Sequence, residues 1–187
     1  MTNTVGYDGE RRTNRWRVAI WGGATLLLLL PLVAMQFTRE VAWDLPDFIV
    51  FGVMLAAACG TYELAAWMTG NGACRAAVGI AVAAGFILVW INLAVGIIGD
   101  EDNVLNLLYG GVLVVAMIGA VIARFRPHGM ARALVATAIA QGLVAATAQI
   151  AGHNTWLLTA AFVALWLISA RLFGKAAREH APRGAAR

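Results

Sequence analysis

Six apolar stretches, each about as long as a lipid bilayer is thick, follow one another with only short polar connections between them. A helix that crosses a hydrocarbon core needs about 17–25 mostly apolar residues. No water reaches the backbone there, so each stretch must satisfy its own N–H and C=O groups by coiling into a helix. The stretches are Val18–Phe37, Phe48–Met68, Ala73–Ile98, Val104–Ala123, Ala131–Ala151 and Thr155–Phe173. Composition agrees: 61% of the residues are hydrophobic and 13% charged, where soluble domains carry about 25% charge. The expected fold is all-α, a six-transmembrane-helix bundle over residues 18–173. A polar tail of residues 1–17 is expected to be disordered, and residues 174–187 to form a basic cytoplasmic tail.

The apolar run after the basic N-tail is longer than a secretory signal's usual 7–15 residues, and no Ala-x-Ala site follows it. It reads as a retained anchor. Arginine and lysine near span ends set orientation. With the N-terminus inside, thirteen of them lie on the cytoplasmic side and only Arg39 outside. The connections placed outside hold Glu40, Asp44, Asp47, Asp100, Glu101 and Asp102. Both termini are therefore expected in the cytoplasm of a bacterial inner membrane. The net charge of +4 sits at span ends rather than in one patch, which argues against nucleic acid. Cys59 and Cys74 supply no disulfide framework.

Asp44-Leu45-Pro46-Asp47 reads as a helix start, with Asp44 accepting from a free backbone N–H and Pro in the first turn. Gly72-Ala73-Cys74-Arg75 and Gly129-Met130-Ala131-Arg132 match at an offset of 57 positions, with Gly85 against Gly142 and Asn92 against Gln149. The offset suggests a parallel repeat of two helical hairpins, as transporters sometimes contain. Gly52, Ala56, Gly60 and Glu63 share one helical face, as do Ala81, Gly85, Asn92 and Gly96, and Ala138, Gln141, Ala145 and Gln149. Small residues let membrane helices approach closely. Spans two to five are thus expected at the centre, with spans one and six facing lipid.

The candidate transport or binding residues are Glu63, Asn92, Glu101, Asn106, Tyr109 and Gln149. Glu63 is the one acid well inside a span, and such groups are functional candidates. Its structural alternative is an ion pair with Arg75 or Arg132, or a protonated carboxyl bonded to Thr or backbone. The acids at 100–102, with Asn103 and Asn106, offer oxygen ligands of the Ca²⁺ or Mg²⁺ type. Yet they are consecutive rather than spaced as a metal loop, and Asp102 or Asn103 serves equally as a helix cap. Asn92 and Gln149 suit interhelical hydrogen bonds, and no cofactor or metal is expected.

Several chemistries are excluded by what the spans lack. No histidine lies inside one, against a bis-histidine haem. The sole lysine, Lys175, is near the last span's cytoplasmic end, and the sole serine, Ser169, has no histidine at its depth, against a serine hydrolase. No CxxC, HExxH or phosphate loop occurs.

The block from Trp90 to Asn103, W-I-N-L-A-V-G-I-I-G-D-E-D-N, resembles a stretch of uncharacterised bacterial polytopic inner-membrane proteins. So do Asn106–Gly111, Ala123–Pro127 and Gly129–Leu134. The resemblance covers about the four central spans and implies a polytopic membrane protein without an activity. The functional expectation is a non-enzymatic accessory or structural membrane subunit, partnered by the lipid bilayer and by other membrane subunits or a second copy. The alternative is a small solute or cation/proton transporter using Glu63 and the outer polar cluster.

Overall fold

The computed structural model describes residues 5–100 and 102–179, with side chains from residue 16 onward. Its elements are α1 (Val5–Ala34), α2 (Leu45–Met68), α3 (Gly72–Ala94), a 3-10 turn (Val104–Asn106), α4 (Leu107–Ile122), α5 (Pro127–Ile150) and α6 (Trp156–Glu179), with no strand among the described residues. Among the described residues six helical segments are long and apolar enough to cross a membrane. The protein is an all-α, multi-pass membrane protein.

α1 extends from its apolar segment, Trp16–Ala34, back to Val5, into the tail expected to be disordered. Once a helix is nucleated, each added residue gains a hydrogen bond, so a helix propagates readily past its apolar part. α6 likewise continues through Glu179, beyond the expected end at Phe173.

The chain divides into two compact units, Met1–Leu64 and Ala65–Arg187. In the first, α2 opens on a reciprocal cap: Asp47 N–H donates to Asp44 Oδ1 at 3.1 Å and Asp44 N–H to Asp47 Oδ2 at 3.0 Å. Pro46 stands in that first turn, where its missing N–H costs nothing. Trp43 packs edge-on against Phe48 and Phe51. The buried positions of α2 are Phe51, Leu55 and Cys59, one position off the expected small-residue stripe. Gly52 meets Leu28 with room for a methyl group, and Gly60 has no such neighbour at all.

In the second unit α6 packs against both α3 and α5, and α5 against α4. The core is built from Leu88, Tyr109, Val112, Leu134, Phe162, Trp166 and Phe173, with alanines between them. α6 is thus central, where the sequence suggested a lipid-facing helix, and the packed core runs from span three to span six. The reason is that lipid tails are as apolar as leucine, so an apolar face does not say whether protein or lipid covers it. What marks α6 is its buried row of Thr159, Phe162, Trp166, Ser169, Ala170, Phe173 and Ala176, spaced by three and four residues apart from the adjacent Ser169 and Ala170. The Ser169 hydroxyl also donates to Ala77 C=O of α3 at 2.7 Å.

The tightest approaches are at the α4–α5 corner. A Cβ on Gly119 would lie 2.7 Å from Ala133 Cβ, and one on Gly129 2.7 Å from Ala123 Cβ. The turn itself runs through Arg124 and Phe125, both with positive φ. At the N-terminal end of α3, Asn71 caps the helix by accepting from Cys74 N–H and donates to Glu179 of α6 at 2.7 Å.

Candidate functional site

α3 stops at Ala94, four residues before the expected end at Ile98. Gly96 and Gly99 then take positive φ values of 68° and 73°, which glycine adopts without steric cost. A chain leaving a helix inside an apolar bundle exposes N–H and C=O groups that must find partners. Asn106 provides them. Its Oδ1 accepts from Ile97 N–H at 3.0 Å and Ile98 N–H at 2.8 Å. Its Nδ2 donates to Asp100 C=O at 2.6 Å and reaches Ile98 C=O at 3.4 Å. Its own C=O accepts from Asn92 Nδ2 at 3.1 Å. Asn103 caps the 3-10 turn by accepting from Leu105 N–H at 3.0 Å. Asn106 therefore replaces a missing turn of backbone bonding, and both of its side-chain atoms are committed to that loop.

The expected site residues separate accordingly. Asn92 and Asn106 come together by a hydrogen bond. Tyr109, 1% exposed, lies one turn further along α4. Gln149 accepts from the Trp156 indole at 2.9 Å across the α5–α6 turn. Glu101 lies outside the described residues. Glu63 belongs to the first unit, where it pairs with Arg17 and accepts from the Trp21 indole at 3.0 Å. The partner is thus neither Arg75 nor Arg132, nor is it a Thr or backbone group. Arg17, at the start of the apolar part of α1, reaches an acid placed near the same boundary of α2.

Of a second polar group in the interior, sequence reasoning named Asn92 and Tyr109 as candidates and missed the rest. Among the described residues, Tyr109 OH, Thr155 Oγ1, Thr159 Oγ1, Asn92 Oδ1, Gln141 Oε1 and Trp166 Nε1 are buried without a hydrogen-bond partner. The Tyr109 hydroxyl neighbours Thr155 and Thr159, although none of the three reaches good hydrogen-bonding geometry. Gln141 and Trp166 lie nine and ten residues from the facing ends of α5 and α6, or roughly 14–15 Å down each helix. Their antiparallel register puts an acceptor and a donor level with each other near mid-span. The signal in the sequence was the pair Thr155 and Thr159, four apart on the face that carries Trp166.

Alongside this group an open groove of about 360 Å³ is lined by Ile97, Asn154, Thr155, Leu157, Leu158 and Ala161. Among the described residues no cluster of three or more His, Cys, Asp or Glu could hold a metal ion. The arrangement offers hydrogen bonds and apolar surface, with no nucleophile–base pair among the groups described above. No family model, curated protein or solved structure matches the chain.

Proposed function

We propose that the chain is a non-enzymatic accessory or structural subunit of a bacterial inner membrane, with both termini in the cytoplasm. The observation that carries this reading is the engagement of Asn106, whose side chain is spent on its own loop backbone. The polar stretch that most suggested a ligand is thereby accounted for as a helix-to-helix corner. The Glu63 ion pair and indole bond support the same reading, because an acid held by two donors of its own unit is poorly placed to relay protons or cations.

Two measurements test the proposal together. Mild-detergent purification of the full chain from its native membrane is expected to bring down a membrane partner in fixed stoichiometry. In proteoliposomes, proton and monovalent-cation flux is expected to match empty vesicles for both the native chain and Glu63→Gln. Flux in the native chain that Glu63→Gln abolishes would overturn the proposal in favour of a transporter.

A further inference from the structure

Ala161, Ala164, Ile168, Arg171, Lys175 and Arg178 follow one another along α6 at alternating spacings of three and four, and all are exposed. That spacing keeps them on one face, turned away from the core row of Phe162, Trp166, Ser169 and Phe173. The face is apolar through Ile168 and cationic over its last two turns. Depth explains the division. α6 begins at the α5–α6 turn, where the Trp156 indole is bonded to Gln149. From Trp156, Arg171 lies roughly 22 Å along the helix and Arg178 roughly 33 Å. A hydrocarbon core is about 30 Å thick, so the three cations bracket the level of the lipid phosphates, with Arg171 reaching outward on its long stem.

The protein leaves most of this charge uncompensated. Among the described residues neither Arg171 nor Arg178 forms an ion pair, and Lys175 stands 3.9 Å from Glu179. That acid is shared, since its other oxygen accepts from Asn71 of α3 at 2.7 Å. The Arg178 guanidinium lies back over Gly174, with Nη1 3.8 Å from where a Cβ would stand, so it reaches the level of Lys175. Cations within a membrane span are costly and need an anionic partner. An apolar stripe that leads into unpaired cations matches a molecule with acyl chains beneath an anionic headgroup. A soluble anion leaves the stripe unused, and a net-uncharged lipid leaves the excess charge unanswered.

We propose that the exposed face of α6 binds an anionic phospholipid, its phosphate among Arg171, Lys175 and Arg178 and its acyl chains along Ile168, Ala164 and Ala161. The site is independent of the subunit reading, since a lipid can bind to a subunit or a transporter alike.

The test is native mass spectrometry of the full chain in detergent with equimolar phosphatidylglycerol and phosphatidylcholine, which share the phosphate and differ in net charge. Retained phosphatidylglycerol is expected to predominate. Arg171→Gln is expected to lower that retention about five-fold, the factor for about 1 kcal/mol per cation near an anionic surface. Arg124→Gln, exposed at the α4–α5 turn, leaves it unchanged. No retained lipid, or equal retention of the two lipids, overturns the proposal. Equal losses in the two variants do so as well, because they mean diffuse positive charge rather than a site. An adduct displaced by excess inorganic phosphate would make the ligand a soluble anion and is equally fatal. Should Arg171→Gln fail to fold, the double variant Lys175→Gln/Arg178→Gln decides: its retention of phosphatidylglycerol is expected to fall at least five-fold, and retention at the native level refutes the site.

Discussion

Replacing Asn106 by leucine removes the polar atoms that hold residues 97–100 in place while keeping the number and branching of side-chain heavy atoms. The cost can be worked from the bonds. Two backbone donors, Ile97 N–H and Ile98 N–H, lose their acceptor. Ile98 is 0% exposed, so its N–H is stranded at about 1–3 kcal/mol. Ile97 is half-buried and recovers part of its loss through water. Asp100 is exposed, so its C=O rehydrates, and it still accepts from Asn103 N–H at 3.3 Å. The sum is about 2–4 kcal/mol. Asn103→Ala, by contrast, loses one cap bond, worth about 0.5–2 kcal/mol. Asn106→Asp separates the two halves of the amide: the acceptor is kept, but an oxygen replaces the donor 2.6 Å from Asp100 C=O, so it too is expected to destabilise. The assay is reversible unfolding of the full chain in mixed maltoside and dodecyl sulfate micelles, followed by far-ultraviolet circular dichroism. The order expected is Asn106→Leu well below Asn103→Ala, and both below the native chain. An Asn106→Leu protein within about 1 kcal/mol of native, or no worse than Asn103→Ala, would refute the role assigned to this side chain.

Further outcomes can be read in the same unfolding assay. Gly119→Ala sets a methyl 2.7 Å from Ala133 Cβ; overpacking of about 1–3 kcal/mol outweighs a helix-propensity gain of about 1 kcal/mol, so stability falls. Gly142→Ala meets nothing within 4 Å and keeps the propensity gain, so its stability holds or rises; a shared sign for the two variants would contradict the close α4–α5 approach. Ser169→Ala loses the bond to Ala77 and is expected to cost about 0.6–2 kcal/mol, the range of interhelical hydrogen bonds in membranes; native stability would show that α3 and α6 do not depend on it.

Local features of the candidate site were legible in the sequence. Asp44 and Asp47 bracket a proline three residues apart, and a cap needs only that spacing. Asn103 followed the same logic. Asn106 was visible as a polar residue in the right stretch, but its task was not: a carboxamide facing solvent and one wrapped by backbone have the same sequence. Tyr109 beside Thr155, and Arg17 beside Glu63, were out of reach because each pair lies 46 positions apart and is joined only by packing.

Length and apolarity by themselves determined six membrane-spanning helices, because hydrocarbon leaves an isolated chain no other way to satisfy its backbone. They also located the acidic corner after α3. Only the tertiary structure decided which helices form the core. It put α6 between α3 and α5, moved the buried side of α2 to Phe51, Leu55 and Cys59, and gave Glu63 to Arg17. In water, burial follows apolarity, so a sequence reveals its core. In lipid both the core and the outer surface are apolar, and the choice between them passes to shape complementarity and a few hydrogen bonds such as Ser169 to Ala77.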